Sequence, residues 1–220
     1  MIFETYRKLN RINLYNNDKK ITYGDKYIWR PISHVILTPL IYFGFKNPNI
    51  LTLISIISLF FGLYLEDYWI LYFIFWAILD CADGSLARYN IKTKGIQYSD
   101  GELIDAIGGY FFIVTFWLKI YFFYGYEIAI LTIISNLLAR TIYLKFNLTK
   151  KEIESSKMSR SSNLYFIYEN IEFGSFMLII FCISQYLDLV YYFSIAYFSL
   201  SVLLLLYSLY TSFKNFNSST

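Results

Sequence analysis

Apolar residues in this chain come in blocks separated by short polar breaks. A polar, Asn-rich segment (residues 1–25) gives way to an apolar stretch at 26–45. Longer apolar runs follow at 50–65, 68–88, 101–123, 127–145, 171–187 and 189–213. Each run approximates the ~20 residues an α-helix needs to cross a hydrocarbon core of about 30 Å. The pattern predicts an all-α polytopic membrane protein with six transmembrane helices. The stretch at 26–45 differs, because Arg30, Pro31, His34 and Pro39 interrupt it. It reads as an N-terminal interfacial helix lying along the membrane, with a short span as the alternative. Asn47-Pro48-Asn49 reads as a helix start capped by Asn49, Glu66-Asp67 as a tight turn, and Gly125 as a break. Residues 89–100 and 146–170 read as polar loops. The expected organisation is a cytoplasmic arm (1–25), an interfacial helix (26–46), a six-helix transmembrane domain (47–213) and a cytoplasmic tail (214–220). No internal repeat is visible, so an inverted-repeat transporter is not supported.

Composition strengthens the membrane reading: 57% of the 220 residues are hydrophobic and only 16% charged, too apolar for an ordinary soluble domain. The net charge of +3 matters less than its placement. Lys and Arg gather in the N-terminal arm and in the loops at 89–100 and 146–170. The opposite loops carry Glu66, Asp67, Glu127 and Asp188, with Lys119 the one basic residue expected near that side. The positive-inside rule puts both termini in the cytoplasm, at the plasma (inner) membrane if the source is bacterial. Tyr68, Trp69, Trp117, Tyr121, Tyr124 and Tyr126 read as an interfacial aromatic belt on the far side. Cys81 and Cys182 read as reduced packing residues. The polar, basic N-terminus reads as lacking a cleavable signal, and no nucleic-acid motif stands out.

The chemistry concentrates between residues 79 and 110, where Asp80, Asp83, Asp100, Glu102 and Asp105 lie among apolar runs. Carboxylates in such surroundings are costly and point to function. On a helix, Asp80, Asp83, Gly84 and Ala87 share one face. Two carboxylates one turn apart make half of a hard-cation site, and Mg²⁺ is usually held by a few carboxylates together with substrate phosphates. Gly84 and Ala87 remove bulk where a ligand would approach, and Arg88 offers a fixed positive charge to phosphate or snorkels to the interface. A second helix from Gly101 would bring Asp105 to face the pair. The plainer reading of these acids is a set of solvated helix ends, with Asp105 favoured by a helix N-terminus. Arg140, inside the fourth run, either binds an anionic acceptor or snorkels.

Asp80-x2-Asp83-Gly84-x2-Ala87-Arg88, followed by Gly101-x3-Asp105, resembles the signature of the CDP-alcohol phosphotransferase family: D-x2-D-G-x2-A-R, a spacer, then G-x3-D-x3-D. The first half matches at every defined position. Asn47-Pro48-Asn49-x2-Thr52 is similar to the Pro-Asn-x2-Thr that often precedes the family's first membrane helix. The second half departs: Gly109 stands where the family has its fourth aspartate, and the spacer of 12 residues is longer than usual.

The resemblance implies an integral membrane transferase that moves a substituted phosphate group from a CDP-alcohol to an acceptor hydroxyl and releases CMP, in phospholipid or related glycan/lipid biosynthesis. It implies Mg²⁺ or Mn²⁺ held by Asp80, Asp83 and Asp105, and a nucleotide bound by Asp80, Asp83, Gly84, Ala87 and Arg88. The partners it implies are a CDP-alcohol donor, a lipid or phosphorylated polyol acceptor engaged by Arg140, membrane lipids and a second copy of the chain. In the family the fourth aspartate acts as general base, which Gly109 cannot do. Asp105, Glu102 and Asp100 are the substitutes nearest in sequence; His34 and a metal-activated hydroxyl are others. A shifted alignment is a further alternative. So is lost catalysis, with Gly108-Gly109 serving only close helix packing. The rivals to a transferase are a membrane transporter and an inactive nucleotide- or lipid-binding relative.

Overall fold

A computed structural model describes residues 2–13, 23–96, 101–153 and 176–217, with side chains for 2–13, 23–96, 107–142 and 176–210. Every regular element among the described residues is helical. Helix α1 (Ile2–Asn13) is followed by a π-helical turn (Asp25–Trp29) that runs into α2 (Arg30–Tyr42). Next come α3 (Pro48–Tyr64), α4 (Trp69–Lys94), α5 (Gly101–Tyr124), α6 (Ile128–Ile153), α7 (Met177–Tyr186) and α8 (Val190–Asn217). Among the described residues three helical segments are long and apolar enough to cross a membrane: Trp69–Lys94, Ile107–Tyr124 and Val190–Tyr210. Pro48–Tyr64, Ile128–Ile142 and Met177–Tyr186 are apolar but shorter. The protein is a polytopic, integral membrane protein.

Several boundaries differ from the sequence expectation, each for a physical reason. Helix α3 is capped by Asn47, whose side chain accepts from the Asn49 amide at 3.0 Å. Pro48 then takes the first helical position, where its missing N–H costs nothing; a cap at Asn49 would waste that fit. Helix α4 continues past Arg88 to Lys94, well into the expected loop. Lys92 and Lys94 suit the negative end of the helix, and Gly95 ends it with φ of +67°. Helix α6 likewise continues to Ile153; the rest of the loop expected at 146–170, and residues 171–175 of the fifth run, lie outside the described residues.

The chain divides into two units, Met1–Phe116 with Asn170–Ile179, and Trp117–Glu169 with Ile180–Thr220. In the first, α1, α2, α3 and α4 meet around Leu9, Leu37, Leu51, Leu79, Ala82 and Leu86. Helices α3 and α4 approach closely at Gly62, where a Cβ would stand 2.7 Å from Cε2 of Phe73. That ring is fully buried and boxed by Trp69, Phe112 and Phe116, with centroids 5.6, 6.0 and 5.4 Å away. These rings also fasten the described part of α5 in this unit onto α4. In the second unit α6 packs along α8 around Ala139 and Leu204, and Trp117 lies against Phe193 and Tyr197 at 5.8 and 5.7 Å.

Trp69 and Trp117 are therefore core residues, 3% and 0% exposed, and the belt expected of them is corrected. Their large apolar rings contribute more by burial than their single N–H would at an interface. Tyr68 is exposed, as a belt residue would be. Lys119 is buried in the second unit, its Nζ 5.9 Å from the Phe123 ring.

Gly62→Ala should destabilise the protein by about 1–3 kcal/mol, because the boxed Phe73 ring cannot step aside. The thermal midpoint of the detergent-solubilised chain measures this, and an unchanged midpoint would mean that the ring yields.

Candidate functional site

The motif residues lie on α4, and the first of them to be secured is Asp83. It is buried, 5% exposed, and Oγ1 of Thr52 donates to its Oδ2 at 2.5 Å. The Asn47 cap and Pro48 start α3 four residues before Thr52, so the Asn-Pro-Asn-x2-Thr segment delivers a hydroxyl to the motif carboxylate. Asp80, one turn earlier, is half-buried. Two carboxylates offer the all-oxygen donor set that a hard divalent cation takes. They fit such an ion as part of its shell.

Arg88 is held by α1 and by its own helix. Its Nε donates to Oδ1 of Asn13 at 2.6 Å, and Nη2 reaches Oγ of Ser85 at 3.5 Å. The guanidinium folds back along its own helix over Gly84, where a Cβ would stand 3.3 Å from Nη1. Gly84 was expected to admit a ligand; in this structure the room it leaves is taken by Arg88.

Asn13 is itself buried, 1% exposed. Its Nδ2 donates to the carbonyls of Leu9 and Ser85 at 3.1 and 3.4 Å, and its own carbonyl accepts from Nη1 of Arg30 at 2.9 Å. His34 completes the network. Its Nδ1 lies 2.6 Å from Oδ1 of Asn10 and its Nε2 3.2 Å from Oγ of Ser85. An amide oxygen only accepts, so the proton sits on Nδ1 and Nε2 accepts the Ser85 hydroxyl. Burial, then the Arg30 and Arg88 guanidinium groups, lower the His34 pKa from 6.5 to about 4. The imidazole is neutral, with both nitrogens engaged. It bridges α1, α2 and α4, and its Nε2 is committed to Ser85 rather than open to a substrate proton.

The other predicted residues stand as follows. Ala87 lies on α4, half-buried. Glu102 and Asp105 are in the first turns of α5, but their side chains lie outside the described residues, as does Asp100 altogether. Among the described residues no group of three or more His, Cys, Asp or Glu gathers as a metal cage; the expected cage needs Asp105. Gly108 and Gly109 are buried in α5. No described atom lies within 4 Å of where a Cβ would stand on Gly108, so among the described residues no close helix contact forms there. In the second unit, Nε of Arg140 donates to Oδ1 of Asn136 at 2.9 Å, and Nδ2 of Asn136 to Oγ of Ser201 at 3.5 Å. Cys81 and Cys182 are free thiols, with Sγ of Cys81 3.8 Å from Oδ1 of Asp25.

Sequence reasoning missed Asn10, Asn13 and Ser85. The one signal for Asn10 and Asn13 was the Asn-rich composition of the first segment.

The family model described as CDP-alcohol phosphatidyltransferase matches residues 45–211. It covers α3, α4, α5, α6 and α7 and most of α8, and it begins after α1 and α2. No curated protein and no solved structure matches the chain.

Folding keeps His34 neutral, so between pH 6.5 and about 4 the unfolded chain binds the extra proton. Stability therefore falls as the pH drops through that window and levels off below it. His34→Gln, which cannot titrate, should show a shallower fall of the thermal midpoint than the wild type over the same range. Parallel curves would remove His34 from the acid response.

Proposed function

The chain belongs to the CDP-alcohol phosphatidyltransferase family and is a CDP-alcohol-dependent membrane transferase, and on that premise we propose the reaction and the residues that carry it. A substituted phosphate group passes from the CDP-alcohol to an acceptor hydroxyl. The acceptor O–P bond forms, the P–O bond to CMP breaks, and the hydroxyl proton goes to a carboxylate at the start of α5: Asp105, Glu102 or Asp100. The observation that carries this reading is the buried Asp83 carboxylate, which shares α4 with Asp80 and Arg88 and is held by Thr52 of α3.

In this reading Asp80, Asp83 and Asp105 hold Mg²⁺ or Mn²⁺, which when bound neutralises the pyrophosphate charge and polarises the phosphorus. Gly84, Ala87 and Arg88 receive the nucleotide, with Arg88 presented by Asn13 and Ser85. The network around Arg88 positions a cation before substrate arrives, and such preorganisation is the larger part of phosphoryl-transfer catalysis. For Arg140 we keep an anchor for an anionic acceptor, resting on its charge within an apolar helix. The acceptor is a lipid or a phosphorylated polyol.

The proposed architecture has six spans after an interfacial helix at 26–46, both termini and the aspartates at the cytoplasmic face, and a homodimeric assembly. If the source is bacterial, the membrane is the plasma (inner) membrane. Support comes from the basic loops in sequence and from the shorter apolar helices beside the three long ones. The glycine at 109 favours one alternative, a relative that binds the nucleotide and does not turn it over.

In proteoliposomes supplied with a CDP-alcohol and candidate acceptors, Asp83→Asn should cut CMP release below about one hundredth of wild type while the chain still inserts and folds. Thr52→Val should cost about 10- to 100-fold, the usual effect of losing a partner behind a metal ligand. EDTA should abolish release, and Mg²⁺ or Mn²⁺ restore it. Retained turnover in Asp83→Asn would refute the site; tight CDP binding by the wild type with no CMP from any acceptor would favour the alternative.

A further inference from the structure

Trp76 is 2% exposed, and its Nε1 is buried with no hydrogen-bond partner among the described residues. An indole N–H is a donor only. Buried indoles normally find an acceptor, and leaving one without costs about 1–3 kcal/mol. Inside a membrane-spanning helix, water is a poor substitute. Packing alone would have been served by phenylalanine, which appears 21 times in this chain.

The position of this donor gives it meaning. Trp76 lies four residues before Asp80 and seven before Asp83, so it falls on the stripe of α4 that carries the motif. It stands about 6 Å further along the axis than Asp80, away from the Lys92 and Lys94 end. Its ring stacks on Phe112 of α5, with centroids 4.0 Å apart and planes 13° from parallel. Phe112 in turn is four residues after Gly108 and three after Gly109. The stacked pair therefore lies one helical turn from Asp80 and two from Asp83 on α4, and one turn from the α5 glycines. Gly108 is buried, yet no described atom stands within 4 Å of a Cβ placed on it. On the alignment that sets Gly109 at the motif's fourth aspartate, this level of α5 lacks the carboxylate the motif has there.

Resting on the transferase reading above, we propose that the Trp76 indole N–H binds an uncharged oxygen in the lipid part of a substrate, a hydroxyl or an ester carbonyl. A single neutral donor among aromatic rings cannot balance a phosphate or an ammonium group, whose burial there would be far more costly. A neutral oxygen on an otherwise apolar group satisfies both the donor and its surroundings. Two molecules bring that chemistry: the lipid alcohol of the CDP-linked donor, or a lipid acceptor. In either case the substrate class is a lipid, not a water-soluble polyol alone.

The test uses the full chain in bicelles with ¹⁵N-labelled tryptophan. The chain has four tryptophans, and the signal lost in Trp76→Phe identifies the indole in question. Calorimetry first records CDP binding in the presence of Mg²⁺. CDP should leave the Trp76 indole resonance in place. Either CDP-dioleoylglycerol or dioleoylglycerol should move it downfield, and which one does so distinguishes donor from acceptor. Trp76→Phe keeps the ring stack and should weaken affinity for that lipid about tenfold, as for one lost hydrogen bond, without altering CDP affinity. If Trp76→Phe does not fold, Trp29→Phe, Trp69→Phe and Trp117→Phe assign the signal by elimination and the wild-type titration decides. CDP binding with an indole that neither lipid moves overturns the proposal alone. So does an indole proton that exchanges with solvent as fast as an exposed one, since water is then the partner. A wild-type chain that binds no CDP overturns the transferase reading first.

Discussion

A carboxylate enclosed by an apolar helix bundle must be given a donor or lose its charge, and the first unit is arranged around meeting that demand at Asp83. An isolated buried charge costs several kcal/mol even after the protein relaxes. Thr52 supplies the hydrogen bond, and the start of α3 determines where Thr52 stands. Ten residues further along α3, Gly62 lets the same two helices close up against Phe73. Residues that look like separate signatures in sequence, one before the first apolar run and one at the end of the second, are two halves of one contact.

The positive charge of the site is handled differently. Arg88 is fastened by groups outside the family-matched residues: Asn13 of α1 directly, and Asn10 and His34 through Ser85. Hydrogen bonds run in one direction through this chain, from Arg88 to Ser85, from Ser85 to His34, and from His34 to Asn10. That polarity requires a neutral imidazole, and burial, aided by the two guanidinium groups beside it, enforces one. The matched core thus brings the acids, while the preceding segment brings the framework that aims the base-rich end of the motif.

Much of the fold was legible because hydropathy and helix length are coupled in a membrane: each apolar run became a helix or lies where one is not described. What escaped the sequence did so where tertiary contacts decide. Helix α1 is short and polar, and a helix of that length draws its stability from packing, here through Leu9 and Asn13. Helix α4 outlasts its apolar run because backbone bonding continues through Tyr89–Lys94 until Gly95 stops it. Trp69 and Trp117 misled because an amphipathic ring suits an interface or a core equally well. The aspartates of α4 were readable from spacing alone, whereas the occupant of the room over Gly84 was not: a motif records which positions must be small, not what fills them.

The bond between Asn13 and Arg88 joins residues 75 apart in the chain. Synthesis delivers α1 first and its partner only after α3 and nearly all of α4 have been made. Until then Asn13 lacks Ser85 and Arg88, although α2 already offers Leu37 to Leu9 and Arg30 to the Asn13 carbonyl, and the entropy of closing so long a loop is lost late in biogenesis. The contacts of α1 are therefore complete only once α4 has brought Ser85 and Arg88 to Asn13.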